Sequence, residues 1–271
     1  MSITHSYIFL DGMVSLLAGL FAYVRPDLVL AFVFSTKGDG IQWHLCRCIG
    51  AQCIGTGVAW LVFSRSTNRA SHTSCLQMRF LMCCLAICMS VHALKHYADI
   101  FEPKFLYLLV AFALLHAIIS MHHLIQSRMP LGVSLPHKEQ FVAQAIMQMD
   151  VWAATVIGIM WIAFPDWILI RQIKMPMSHE YIYLGRMMGV VFFSTSLMTT
   201  QGMYWTRTQD RSAWCYSRAL MCVGILCAQM YSQYAYHQWW TDKHWVGISL
   251  FSIWTSLALW YTLNVKMGKF K

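Results

Sequence analysis

The chain has 271 residues, of which 58% are hydrophobic and only 11% are charged, and its formal net charge is +9. A soluble domain has about 25% charged residues, so the composition excludes an ordinary soluble protein and predicts a helical protein that crosses the membrane several times. The positive charge fits Lys and Arg residues in loops that face anionic lipid, and we expect no nucleic-acid partner.

The first half of the chain predicts four membrane spans. The first is an apolar run at 8–24, and we expect it to be retained because no basic region or cleavage site accompanies it. A run at 28–34 is too short to cross and is expected at the interface. Three further spans follow, at 43–63, 80–97 and 105–124. The segment at 65–79 is predicted to be a polar, basic loop.

The second half of the chain repeats the first at one constant offset and without a gap. Paired positions include Asp11 and Asp150, Pro26 and Pro165, Asp27 and Asp166, Arg47 and Arg186, and Arg79 and Arg218. Four more spans are therefore predicted, at 151–164, 184–204, 219–236 and 246–265. We predict an all-α, polytopic membrane protein whose eight transmembrane helices form two parallel four-helix repeats. The first repeat covers residues 1–126 and the second 145–271, with a connecting loop at 127–144.

The distribution of Lys and Arg predicts the orientation of the chain. An even number of spans per copy gives both copies the same orientation, so a pseudo-symmetry axis would run along the membrane normal. Loops on the side of both termini carry eleven Lys and Arg residues, against nine on the opposite side, where most of the acidic residues lie. The positive-inside rule then predicts that both termini are cytoplasmic, in the endoplasmic reticulum or the plasma membrane.

Duplicated charges near the span ends predict four structural ion pairs, because ionisable groups next to apolar spans are costly and are usually paired. The pairs expected at the outer ends are Asp27–Arg47 and Asp166–Arg186. Those expected at the inner ends are Asp11–Arg79 and Asp150–Arg218. Each charge occurs in both copies, which favours a role in holding the fold together over the alternatives, a charge relay or a site for a substrate carboxylate.

Four histidines form a candidate metal site. His92 and His96 lie four residues apart, a spacing that places both rings on one helix face and that metal or haem ligation uses. His44 is expected at the same outer level and His116 deeper in the membrane. The second copy has other residues at these positions, Tyr183, Tyr231, Ala235 and Thr255. In the competing interpretation these histidines only form hydrogen bonds near the membrane interface. We favour this interpretation and therefore expect no cofactor.

Short motifs recur in both copies: a glycine in the first span, a Pro-Asp end to that span and an Arg-x-x-Gly opening to the second. Here they are Gly19, Pro26-Asp27 and Arg47 to Gly50, then Gly158, Phe164 to Asp166 and Arg186 to Gly189. With these motifs each copy resembles the small four-span proteins of the DoxX-like and p53-inducible protein 11 type, although the first copy has Val24-Arg25 in place of Ala163-Phe164. The resemblance implies a compact four-helix bundle per copy. It implies no single activity, because that group includes quinone-linked oxidoreductase subunits, receptor-assembly chaperones and proteins of unknown role.

Three functions of different classes are compatible with these residues. The first, which we expect, is a non-catalytic accessory subunit or assembly factor that packs against a larger membrane protein complex, with membrane lipids and another integral membrane protein as partners. Short loops and the lack of a phosphate loop, nucleophile elbow or carboxylate pair favour it over an enzyme. The second is a carrier or channel for a small solute or ion, with a path between the repeats lined by Ser194, Thr195, Ser196, Thr199, Thr200 and Gln201. The third is a metal- or haem-dependent membrane redox protein that uses the four histidines.

Overall fold

Ten α-helices build the part of the chain that the computed structural model describes, residues 3–102, 104–127, 141–205 and 207–266. The first half contains α1 (Ile3–Val24), the short α2 (Pro26–Val33), α3 (Gly40–Phe63), α4 (Arg69–His96) and α5 (Phe105–Gln126). The second half contains α6 (Phe141–Ala163), the short α7 (Pro165–Leu169), α8 (His179–Gly202), α9 (Thr208–Ala235) and α10 (His244–Lys266). The eight long helices are long and apolar enough to cross a membrane, which confirms the predicted all-α, multi-pass fold.

The helices extend beyond the predicted spans. α4 begins at Arg69, so the prediction of a loop at 65–79 is wrong for most of that segment. Asn68 caps the helix by accepting a hydrogen bond from the backbone N–H of Ala70, and the hydroxyls of Thr73 and Ser74 donate to carbonyls one turn earlier. Polar residues at the start of α4 therefore satisfy the helix backbone and do not interrupt it.

Residues 141–144, at the end of the predicted connecting loop at 127–144, are helical. α6 begins at Phe141, and the segment at 128–140 lies outside the described residues. An earlier start gives α6 an extra turn on the side of the membrane where α1 begins. The division of the chain into repeats at 1–126 and 145–271 stays a prediction.

The backbone repeats the duplication seen in the sequence. The offset that relates Asp150 to Asp11 also relates both ends of α8 to those of α3, and both ends of α9 to those of α4. Two isolated antiparallel bridges have the same relationship, because Phe34 pairs with Phe101 and Ile173 pairs with Trp240. Each bridge joins the segment after a short helix to the turn between the third and fourth spans of the same copy. We call the side of these bridges the outer side, and the side where α1 begins the inner side.

The long helices lie in two rows that exchange partners between the copies. In one row α1 packs along α3, α3 against α9, and α9 against α10. In the other α6 packs along α8, α8 against α4, and α4 against α5. The rows meet where α3 contacts α8, whereas the second and third spans of one copy touch only briefly. The two parallel repeats are thus interlocked, and they do not form the separate four-helix bundles that the family resemblance implied.

Glycines bring α1 onto α3 and α6 onto α8. A Cβ atom placed on Gly50 would lie 2.8 Å from the carbonyl oxygen of Gly19, and one placed on Gly189 would lie 2.8 Å from the carbonyl oxygen of Gly158. Real Cβ atoms do not approach backbone atoms this closely, so each helix pair lies at a distance that only glycine permits. The first span of each copy is therefore fixed against the second along most of its length.

Candidate functional site

The outer arginines contact the other copy and not the carboxylates predicted for them. Arg186 donates a hydrogen bond to the hydroxyl of Tyr97 at 3.2 Å. Arg47 lies over the ring of Tyr231, with its guanidinium carbon 4.8 Å from the ring centroid. Both contacts cross the interface between the copies, since Arg186 belongs to the second copy and Tyr97 to the first, and the reverse holds for Arg47 and Tyr231. These arginines hold the two repeats together.

Two predicted ion pairs are not formed in the described part of the chain, Asp27–Arg47 and Asp166–Arg186. The physical reason is the direction in which the aspartate side chain points at the turn between the first span and the short helix. Pro26 and Pro165 are buried at the start of α2 and α7, so the aspartate one position later is turned outwards and is exposed. Asp27 is instead bound by Arg25, whose guanidinium donates hydrogen bonds of 3.1 and 2.8 Å and lowers the pKa of the Asp27 carboxyl.

The structure separates the four histidines of the candidate metal site. His92 and His96 lie on an exposed face of α4 with 4.5 Å between their ring centroids. Arg186 lies 3.2 Å from Nδ1 of His92, and its positive charge opposes a cation at that nitrogen. His44 is buried on α3, and His116 lies on α5. Among the described residues no three His, Cys, Asp or Glu side chains are placed to hold a metal ion.

The two inner ion pairs are formed, and they lie deeper than span ends. Nη2 of Arg79 is 2.7 Å from Oδ1 of Asp11, and Nη2 of Arg218 is 2.8 Å from Oδ1 of Asp150. At most 11% of any of these four side chains is exposed. Because α4 begins at Arg69, Arg79 lies about 15 Å along the helix axis and not at its end. A charged group buried inside an apolar helix bundle is stable only with a partner, which each arginine has.

The second ion pair belongs to a larger hydrogen-bonded cluster. Asp150 accepts hydrogen bonds from Arg218, from the hydroxyl of Thr199 at 2.9 Å and from the indole N–H of Trp254 at 2.9 Å. Thr199 also accepts from the indole N–H of Trp214 at 2.9 Å. Each carboxylate oxygen of Asp150 therefore has at least two donors. The cluster joins α6, α8, α9 and α10 around one neutralised charge.

The polar residues of α8 that a carrier would use turn back onto their own helix. Four of them donate to backbone carbonyls three or four residues earlier, namely Ser194, Thr195, Ser196 and Thr200. Thr199 donates to Asp150, and Gln201 bonds to Gln77 of the first copy. The hydrogen-bonding capacity of these side chains is thus used within the fold, which leaves them little to offer a solute.

A groove separates α6 from α10. Its inner part is a cavity of about 400 Å³, which we call the inner cavity. Ala153 of α6 and Ala258 of α10 line it together with the Asp150–Arg218 pair and Trp254. Most of the remaining lining side chains are aliphatic or aromatic. α6 and α10 touch only slightly along this stretch, so the cavity opens sideways between the two helices.

The first copy fills the corresponding space with polar side chains. Between α1 and α5 the hydroxyl of Tyr7 lies 3.2 Å from Nδ1 of His116 and 3.1 Å from Oγ of Ser120. The ring of His123 stacks on that of Tyr7, with 5.4 Å between the centroids. The matching residues of the second copy are Ile146, Thr255, Leu259 and Thr262. Loss of this polar contact between the first and fourth spans accompanies the open groove of the second copy.

A second cavity of about 220 Å³, which we call the outer cavity, adjoins the inner one towards the outer side. Four side chains line both cavities, namely Val156, Ile157, Leu250 and Trp254. Three buried polar residues from three helices also line the outer cavity: His44 of α3, Gln229 of α9 and His244 of α10. We call the two cavities together the α6–α10 groove.

Most residues of this groove were missed by reasoning from the sequence. That reasoning placed His44 in a metal site and gave no role to Ala153, Gln229, His244 or Ala258. The sequence signal that could have identified them is a difference in residue type between matching positions of the two copies. The first copy has Val14, Ser90, Phe105 and Ile119 at the positions of Ala153, Gln229, His244 and Ala258. Small residues replace large ones at the inner cavity, and polar residues replace smaller or apolar ones at the outer cavity.

Comparison with known proteins identifies a family but no activity. The family model described as Domain of unknown function (DUF8292) matches residues 9–263. The match runs from the first span to the last and so includes both repeats. No curated protein and no solved structure matches the chain. The resemblance to the DoxX-like proteins stays a prediction.

Proposed function

Since the chain belongs to the family described as Domain of unknown function (DUF8292), we propose its function from the site itself. The protein is a non-catalytic integral membrane protein that binds an apolar molecule of the bilayer in the α6–α10 groove. The observation that carries this proposal is the inner cavity of about 400 Å³, which has a largely apolar lining and opens between two spans. Small-molecule sites usually have volumes of about 300–1,000 Å³ and such linings.

The mouth of the groove faces the acyl chains of the membrane. Val156, Leu250 and Ile253 line the inner cavity, and each is more than half exposed on the surface of the bundle. In a bilayer these side chains contact lipid. An unfilled apolar space would forfeit van der Waals contacts with its lining, and an apolar molecule that enters from the side restores them.

The polar cluster beside the inner cavity favours binding over catalysis. A catalytic acid or base needs an atom that can exchange a proton with the substrate. Both carboxylate oxygens of Asp150 already accept hydrogen bonds from Arg218, Thr199 and Trp254. The cluster instead fixes α6 against α8, α9 and α10, which keeps the shape of the groove.

Filling the inner cavity is expected to release its occupant. Phenylalanine in place of Ala153 or Ala258 places a large ring in the groove from α6 or from α10. We expect native mass spectrometry of the protein, purified in mild detergent, to find one apolar adduct per wild-type chain. In either variant the affinity should fall at least tenfold, which corresponds to about 1.4 kcal/mol of binding free energy, and the bound fraction should fall with it.

The matched control is Val14→Phe, because Val14 occupies the position of Ala153 in the first copy and is 44% exposed. This variant should keep the adduct at the wild-type level. A wild-type chain without an adduct, or an adduct that survives both Ala153→Phe and Ala258→Phe, would contradict the proposed function. Gel filtration and far-UV circular dichroism verify that the variants are folded.

The apolar, lipid-facing surface of the bundle favours a role as an accessory subunit or assembly factor. Large apolar side chains are exposed on α1, α5 and α6, for example Leu17, Leu115 and Trp152. Such faces suit lipid and also the helices of a larger complex. We propose this role as a second function, which copurification of a stoichiometric integral membrane protein supports. Recovery of the chain alone from native membranes in mild detergent contradicts it.

We also propose that both termini face the cytoplasm, in the endoplasmic reticulum or the plasma membrane, as the distribution of Lys and Arg favours. An N-glycosylation acceptor sequence inserted between Lys37 and Gly38 should then be glycosylated, because that loop lies on the outer side. The same sequence inserted after Arg65, on the inner side, should remain unmodified. A shift in gel mobility that disappears with an endoglycosidase reports the result, and the reverse pattern contradicts the proposed orientation.

A further inference from the structure

We infer that the outer cavity binds the uncharged, oxygen-bearing head of an amphiphile whose chain lies in the inner cavity. This inference rests on the proposed function, since it identifies the class of molecule that the α6–α10 groove takes. The head would carry a hydroxyl group, which can both donate and accept. His44, Gln229 and His244 would bind it, and the apolar walls shared by the two cavities would hold the first part of the chain.

Three buried polar atoms at the outer cavity have no hydrogen-bond partner: Nδ1 of His44, Oε1 of Gln229 and Nε2 of His244. The three residues are 6%, 7% and 1% exposed, so bulk water does not satisfy these atoms. His244 uses its other ring nitrogen, because Nδ1 lies 2.7 Å from Oε1 of Gln233. Buried polar groups are nearly always paired, and leaving one unpaired costs stability. Their convergence on one cavity is explained by a ligand that supplies the missing partners.

The chemistry of these atoms identifies the head group. A neutral imidazole offers one donor and one acceptor, and a glutamine oxygen offers an acceptor. Because Nδ1 of His244 donates to Oε1 of Gln233, the free Nε2 of a neutral His244 is an acceptor, as is Oε1 of Gln229. A hydroxyl can donate to one of these two acceptors and accept from Nδ1 of His44 in the tautomer that carries the proton there. None of the described residues that line the outer cavity is Asp, Glu, Lys or Arg. Burial of a charged head there would lack a counter-ion, which makes it costly.

The position related to the outer cavity by the repeat lies where α8 of the second copy meets α4 and α5 of the first, and it is lined differently. The positions that match His44, Gln229 and His244 hold Tyr183, Ser90 and Phe105. The Tyr183 ring packs edge-on against Phe101 at 4.8 Å between centroids, and its hydroxyl lies 3.5 Å from Oγ of Ser90. Aromatic rings of both copies therefore occupy this related position. The unpartnered polar atoms lie where α3 of the first copy meets α9 and α10 of the second, beside the open groove.

The length of the groove fits an extended chain. His244, at the outer end, and Tyr261, at the inner end, both belong to α10 and line the outer and inner cavities respectively. Seventeen residues of helix separate them, a distance of about 26 Å at the rise of an α-helix. The hydrocarbon core of a bilayer is about 30 Å thick. A long single chain with its head beside His244 would thus lie within the membrane for its whole length.

Two photoreactive probes of equal length test this inference, a 16-carbon diazirine alcohol and the corresponding 16-carbon diazirine alkane. Both are added to the wild-type protein in detergent, and the labelled peptides of α6 and α10 are quantified by mass spectrometry. We expect the alcohol to label these helices at about one tenth of the concentration that the alkane needs, as one or two buried hydrogen bonds would give. Gln229→Met and His244→Phe should remove the preference, so that the alcohol and the alkane label each variant at the same concentration.

The control variant is Gln52→Met. Gln52 is fully buried on α3, its Oε1 also has no partner, and it lines neither cavity, so this variant should keep the preference for the alcohol. Equal labelling of the groove by both probes in the wild-type protein would overturn the inference about the head group and leave the proposed function standing. Labelling of the groove by neither probe would overturn both. If His244→Phe does not fold, Gln229→Met and the wild-type comparison still decide the question.

Discussion

Replacing Arg218 with methionine is expected to lower the free energy of unfolding by about 3–5 kcal/mol, the usual cost of removing one partner of a buried ion pair. Arg218 is 5% exposed and lies 2.8 Å from Asp150. Without it the Asp150 carboxylate keeps only Thr199 and Trp254 as donors in an apolar environment. The uncompensated charge, and not the lost contact itself, accounts for most of the effect.

Titration with a denaturing detergent, followed by far-UV circular dichroism, measures this change. The double variant Arg218→Met with Asp150→Leu should recover most of the stability, because it removes both charges together. Asp27→Asn is the control, since it breaks the exposed Arg25–Asp27 pair and should change stability little. If Arg218→Met unfolds at the same detergent concentration as Asp27→Asn, the Asp150–Arg218 pair does not hold the second repeat together.

Replacing Gly158 with alanine is expected to separate α6 from α8. The added Cβ would lie 2.6 Å from the backbone nitrogen of Phe193, an atom that cannot move without shifting the whole helix. Overpacking costs about 1–3 kcal/mol, and a clash with backbone atoms, which cannot rotate away, lies at the upper end of that range. Alanine gains only about 1 kcal/mol in a helix interior. We therefore expect a clear net loss of stability.

The same substitution at Gly247 provides the control for this prediction. A Cβ there meets only the side-chain nitrogen of Gln229, at 3.3 Å, and the side-chain oxygen of Gln172, at 3.9 Å, and these flexible groups can move. Alanine removes the flexibility of glycine in both variants, so a loss of stability that occurs only in Gly158→Ala reports the packing cost. Detergent titration of the two variants side by side measures it. Equal midpoints for Gly158→Ala and Gly247→Ala would mean that the close approach of α6 and α8 is not needed.

The repeated features of the fold could be predicted because each occurs twice in the sequence. Arg79 and Arg218 recur with Asp11 and Asp150 at matching positions of the two copies, and the structure forms both pairs. The outer pairs could not be predicted correctly, because sequence spacing does not give the direction in which a side chain points. Proline is buried at the corner after α1, and this turns Asp27 away from α3.

The groove could not be predicted because it depends on which helices pack together. Spacing along the chain places His44 with His92 and His96 at one level of the first copy. The packing of α3 against α9, and of α9 against α10, places His44 beside His244 of the second copy instead, with 5.5 Å between the ring centroids. The spacing of hydrophobic residues along a helix does not show whether that helix packs against its own copy or against the other one. The difference between matching residues, such as Phe105 and His244, was the available signal.

An experimental structure of the full chain in lipid nanodiscs made directly from its own membrane tests the central claim most directly. We expect elongated density between α6 and α10 that belongs to no part of the chain. That density would begin beside His44, Gln229 and His244 and extend past Trp254 towards Tyr261. Direct packing of α6 side chains against α10 side chains, with no space between them and no such density, would contradict the claim.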